Sequence, residues 1–165
     1  MGWSGLCPES LSLSEREFFM AFKKITVQEA YDVLQKQGSC VYIDVRTVRE
    51  FTAGHPTGAV NIPVAFPDPA RGMALNPDFV KVVEAHFSKD KKLFVGCQAG
   101  PRADTAARLL EEAGYQEVAS VQGGFGGMRD PSGQLLFPGW SSLGLPVSQE
   151  NGAGVGYESL ASKVK

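Results

Sequence analysis

Apolar residues along this chain follow two alternating rhythms. Short continuous apolar runs at 40–45, 59–64, 93–96 and 118–121, each bounded by polar or turn-forming residues, predict buried strands. Between them apolar positions recur three and four residues apart, the spacing of one helical face. A capping box of Thr26 and Glu29 opens a helix that carries Ala30, Val33 and Leu34 on one face and ends at Gly38. Glu50 and Phe51 fall in a short helical turn ahead of a loop at 54–58. After a proline-rich loop, Asn76 and Pro77 begin a helix with Phe79, Val80, Val83 and Phe87 as its stripe. Another, at 103–113, turns Ala106, Ala107, Leu109 and Leu110 inward and stops at Gly114. The glycines at 123–127 predict a flexible turn.

Strands alternating with helices predict an α/β fold, a parallel sheet covered on both faces. At 165 residues, 43% of them hydrophobic, the chain suits one core. The domain is expected at 23–148. Residues 1–22 form an N-terminal extension, where Ser14 and Glu17 repeat the capping-box pattern before Phe18, Phe19, Met20 and Phe22 and predict a short helix. That aromatic cluster either packs on its own domain or pairs with a second copy, so monomer and homodimer both stay open. Residues 149–165, with their Gly and Ser content, are expected to form a flexible C-terminal tail.

Charge narrows the chemistry. A formal net charge of -2 supplies no basic field for nucleic acid. Three widely separated cysteines (Cys7, Cys40 and Cys97) and two histidines suggest neither a disulfide framework nor a metal site, and no nucleotide or flavin signature appears, so no cofactor is expected. Charged residues interrupt the N-terminal apolar positions, and Leu6 stands where a myristoylation motif needs Ser or Thr, so the expected setting is cytoplasmic and away from membranes.

Cys97 ends a predicted strand and is followed by Gln98, Ala99, Gly100, Pro101 and Arg102 before a helix. Parallel sheets hold ligands at the carboxyl ends of their strands. A tight loop entering a helix points backbone N–H groups at a common centre, which stabilises an anion held there. For a cysteine that anion is its own thiolate, the nucleophilic form. Gly100 lets the loop turn sharply, and Arg102 adds a fixed positive charge.

Several short segments resemble, in order, the landmarks of single-domain rhodaneses: Asp44, Val45 and Arg46; Glu50 and Phe51; Gly54 and His55; Gly58, Ala59, Asn61 and Pro63; the Cys97 loop to Arg102; and Val121 to Gly124. The resemblance implies an open sheet of about five parallel strands flanked by helices on both faces. It also implies a sulfurtransferase that moves a sulfane sulfur from thiosulfate or a similar donor to cyanide, a small thiol or a protein cysteine through a persulfide on Cys97. By that resemblance the backbone of Gln98, Ala99, Gly100, Arg102 and Ala103 is the anion cradle and Arg102 the donor-binding charge. Asp44 and Arg46 are expected to anchor loop backbone beside the site and Glu50 to pair with a basic neighbour. His55 is expected to fix its loop and not to act as a general base.

Two departures stand out. Pro101 removes one N–H from the cradle while stiffening the loop. About a dozen extra residues near 128–140 precede the closing Gly144, Leu145 and Pro146, with Trp140 expected to refill the core. The alternative readings are a sulfur-carrier or regulatory module with little small-molecule turnover and, less favoured, a cysteine phosphatase or arsenate reductase. Against the latter, only four residues separate Cys97 from Arg102, one fewer than the phosphatase loop needs, and Ala103 lacks a hydroxyl.

Overall fold

A computed structural model describes residues 22–36 and 40–164. The expected short N-terminal helix and Cys7 lie outside these residues.

Five strands make one parallel sheet: β1 (Lys23–Thr26), β2 (Cys40–Asp44), β4 (Val60–Asn61), β7 (Lys92–Gly96) and β8 (Glu117–Gln122), in the order β1-β8-β7-β2-β4. Alternation along each strand feeds two cores. Ile43, Val45, Leu93 and Val95 face one side, against α3 (Phe79–His86) and α4 (Pro101–Glu112). Tyr42, Phe94, Ala119 and Val121 face the other, with Val27 and Ala30 of α1 (Val27–Lys36) and Phe51 of α2 (Val48–Ala53). The α4 stripe is Ala103, Ala106, Ala107 and Leu110, all fully buried; small residues at helical spacing let this helix lie close on the sheet.

Several elements differ from the sequence expectation. β1 is absent from the sequence expectation: the Thr26 cap is present, its hydroxyl accepting from Glu29 N at 3.2 Å, but Thr26 and the three residues before it pair with β8. Only Ile25 of that strand is buried, too little apolar signal to mark an edge strand. β3 (His55–Pro56) pairs antiparallel with residues 147–148, and the proline-rich loop contains an antiparallel hairpin of β5 (Ala65–Asp68) and β6 (Gly72–Leu75).

The extra residues before Gly144 form a second hairpin, β9 (Met128–Arg129) with β10 (Leu135–Phe137), turned by the Asp130 carboxylate, which accepts from Ser132 N and Gln134 N at 2.9 Å each. The chain then returns Trp140 to the core. Its ring meets Tyr31 and Tyr42 edge-on at 5.6 and 5.8 Å, and its Nε1–H donates to Pro146 O at 2.7 Å.

The expected free tail from 149 is instead packed on the domain up to residue 164. Val155 O accepts from Asn61 N of β4 at 2.8 Å, which covers the edge of the sheet. Beyond it α5 (Tyr157–Ala161) buries Leu160 and Ala161 beside α3, and His86 Nε2 lies 2.8 Å from Leu160 O. The Gly and Ser residues obscured the helical spacing of Tyr157 and Leu160, and an uncovered edge strand supplied backbone groups to satisfy.

Replacing Trp140 with Ala removes the largest fully buried side chain among the described residues and leaves Pro146 O with the Thr57 N–H as its one protein donor there. The expected loss is about 3–5 kcal/mol of unfolding free energy, read from the urea midpoint.

Candidate active site

Asp44 and Gly96 are partners in register at the carboxyl ends of β2 and β7, and Cys97 follows at once, 1% exposed. Its carbonyl oxygen accepts from Phe125 N at 2.8 Å. The Gln98 oxygen accepts from Gly126 N at 2.9 Å, and the Ala99 oxygen from Gly123 N at 3.0 Å. In a trans peptide the N–H points away from the C=O of the same plane. The N–H groups of Gln98, Ala99 and Gly100 therefore all face away from the 123–126 turn, and none has a protein acceptor among the described residues. Arg102 and Ala103, in the first turn of α4, have N–H groups of the kind a helix leaves free. The N–H groups of 98–100 and of 102 and 103 thus follow one another along the chain, interrupted at Pro101.

The 123–127 segment, expected as a flexible turn, is the brace of this loop. A Cβ on Gly124 would overlap the Cys97 carbonyl, one on Gly126 would overlap the Gln98 side-chain amide, and Gly123, Gly124 and Gly127 take positive φ. Glycine is needed here for close backbone approach.

Two ion pairs stand behind the loop. The buried Arg46 guanidinium meets both Asp44 oxygens, with Nη2 2.7 Å from Oδ2, and donates to Gly54 O at 2.6 Å and Gln98 Oε1 at 3.2 Å, while lying 4.5 Å from the Phe125 ring centroid. It joins the β2 end, the α2 end, the Cys97 loop and its brace. Arg102, read from sequence as a charge for the donor, is held by Glu50 through both carboxylate oxygens at 2.7 and 3.1 Å. Glu50 is itself the capping-box residue of α2, accepting from Thr47 N at 3.0 Å. Burial opposes its ionisation, but the Arg102 guanidinium and the Thr47 N–H and hydroxyl outweigh that and lower its pKa to about 2.

His55 stacks on Phe51 with ring centroids 3.7 Å apart and sets Nδ1 and Nε2 against Pro56 O and Glu150 O, at 2.9 and 2.6 Å. Both ring nitrogens are committed to backbone.

Sequence reasoning gave no role to Asn61 or Tyr42. Asn61 Nδ2 donates to Asp44 O and Arg46 O at 3.0 Å each, clamping the turn after β2; a polar residue inside the apolar run 59–64 was the available signal. Tyr42 packs its hydroxyl where a Gly96 side chain would be, and burial, then the Asp44 and Cys97 charges, push its pKa well above the usual value, so it remains a neutral phenol. Its signal was absent, since a tyrosine in an apolar strand reads only as core.

The family model described as Rhodanese-like domain matches residues 26–130. The chain belongs to the rhodanese-like family. It is 36% identical over 123 residues to "Thiosulfate sulfurtransferase 16, chloroplastic" of Arabidopsis thaliana, covering 74% of this chain and 90% of that protein. It is 38% identical over 84 residues to "Rhodanese-like domain-containing protein 15, chloroplastic" of the same plant, covering 51% of this chain but only 46% of that protein's length. Among solved structures, Rv0390 from M. tuberculosis matches with a TM-score of 0.64 at 27% identity, over 78% of this chain and 98% of that one. The five-stranded parallel sheet flanked by helices is thus a rhodanese-like fold with relatives named for sulfur transfer. No helix among the described residues is long and apolar enough to cross a membrane.

Gly124→Ala in this rhodanese-like domain forces a Cβ onto the Cys97 carbonyl and strains a backbone at φ +53°. A loss of about 1–3 kcal/mol in urea denaturation is expected. The Glu50 carboxyl, lowered from 4.5 to about 2 in the folded state, contributes stability that is present above the unfolded value and is lost as pH falls from 4.5 toward 2. Across that window the urea midpoint of the wild type should fall more steeply than that of Glu50→Gln.

Proposed function

We propose that this protein is a sulfurtransferase working through a persulfide on Cys97. The observation that carries the reading is the trio of N–H groups of Gln98, Ala99 and Gly100, turned one way by the brace and free of protein acceptors beside the only cysteine at a strand's carboxyl end among the described residues. Such donors stabilise a thiolate and then the terminal sulfur of a persulfide.

In the first half-reaction the Cys97 thiolate attacks the outer sulfur of thiosulfate or a similar sulfane donor. The S–S bond breaks, sulfite leaves with the electron pair, and Cys97 carries the transferred sulfur. In the second, cyanide or a thiolate, small or on a protein, attacks that outer sulfur and returns the Cys97 thiolate. Arg102 and the Ala103 N–H close the far side of the cradle; Asp44, Arg46 and Glu50 hold it in shape. No group in this cycle needs a general base, in keeping with the backbone contacts of both His55 nitrogens. The short loop favours this over phosphoryl transfer: four residues between Cys97 and Arg102, one of them proline without an N–H, leave a ring suited to one sulfur.

Intact-mass spectrometry after incubation with thiosulfate, and separately with the methanethiosulfonate anion, tests the proposal. The expected result is one added sulfur, about 32 Da, that a reductant removes and that Cys97→Ser abolishes. No adduct with either donor overturns the reading. A stable adduct that cyanide and thiols discharge only slowly assigns the protein to sulfur carriage on a partner.

A further inference from the structure

A cation that serves an anionic donor must have its charge available, and neither cation at the Cys97 loop has. Arg46 is matched by Asp44 at 2.7 Å, with side chains 3% and 2% exposed. Arg102 is matched by Glu50 at 2.7 Å. Two guanidinium charges are offset by two carboxylates, so these four side chains offer an anion no net positive charge. A dianion approaching Cys97 gains the backbone donors and meets a carboxylate beside the guanidinium it needs.

We propose that Glu50 is an internal competitor for Arg102 that sets donor preference at the Cys97 site, so that sulfane donors of low charge are used in preference to dianions such as thiosulfate. This rests on the sulfurtransferase reading above and adds to it the class of donor. Glu50 acts through Arg102 and is a positioning residue.

The carboxylate is tethered. Its Oε2 accepts from Thr47 N at 3.0 Å and the Thr47 hydroxyl at 3.1 Å, as well as from Arg102 Nη1, so it belongs to the α2 cap and does not swing aside without undoing that cap. The bidentate geometry takes Nη1 and Nη2 together, the pair of donors that would grip two oxygens of a sulfonate. A singly charged or neutral donor loses less, since its sulfur needs only the N–H groups of 98–100.

Thiosulfate and the methanethiosulfonate anion isolate the effect. They carry the same transferable sulfur on an oxidised sulfur, and a methyl group replaces one charged oxygen. In both, the thiolate takes the outer sulfur and the S–S electron pair leaves with sulfite or methanesulfinate. The measurement is the ratio of kcat/KM for the two donors. Wild type is expected to favour the monoanion. Glu50→Gln, which keeps a capping-box side chain but removes the charge, should shift the ratio toward thiosulfate by about tenfold or more, mainly through the thiosulfate KM. Thr47→Ala loosens the tether and keeps both charges, and should shift it the same way by less, which also guards against misfolding of the first variant. A ratio unmoved in the folded variants, or moved toward the monoanion, overturns the proposal while leaving sulfur transfer intact. Failure of both donors to load wild-type Cys97 removes the sulfurtransferase reading and this inference together.

Discussion

The three hydrogen bonds from the 123–126 turn to the carbonyls of Cys97, Gln98 and Ala99 are the constraint on which the site depends. Each carbonyl that a brace takes outward turns the next N–H inward, because the peptide is planar. A loop without such a partner would be free to flip those planes, and its donors would converge only part of the time. The brace needs glycine at 124, where a Cβ would meet the Cys97 carbonyl, and at 126 the Gln98 side-chain amide fills the space a Cβ would take. Its own position is fixed from behind: Trp140 N donates to Gly124 O at 2.8 Å while the Trp140 ring fills the core against Tyr31 and Tyr42. The hairpin before Trp140 thus lengthens a connection whose end still holds the brace of the Cys97 loop.

The polar and charged residues around the site organise backbone more than they present charge. Arg46 ties four separate segments, Asn61 holds the turn after β2, and Glu50 spans the α2 cap and Arg102. A buried guanidinium is costly unless its nitrogens find acceptors, and the Asp44, Gly54 and Gln98 oxygens give each Arg46 nitrogen at least one.

Much of this was legible before any coordinates. Short apolar runs alternating with amphipathic stretches identify a parallel α/β sheet, because strands buried on both faces have no polar side to show. The placement of Cys97 at a strand end, with a glycine-containing loop and an N1 proline ahead of a helix, identifies the loop by local chain stereochemistry. Less was legible where the signal is weak or shared. β1 has one buried residue, the 65–75 hairpin is edged by prolines, and α5 is a five-residue helix in glycine- and serine-containing chain. Elements so short are selected by what they cover.

Sequence by itself determined the fold class, the nucleophile candidate and the residues flanking it, since periodicity, glycine and proline act within a few residues of where they stand. Tertiary structure alone decided which of those residues meet. That Arg102 faces a carboxylate 52 positions away, that the glycine turn is a brace, and that Val155 closes the β4 edge all follow from long-range pairing. Such pairings depend on satisfying buried backbone and charge in three dimensions, and no local pattern records them.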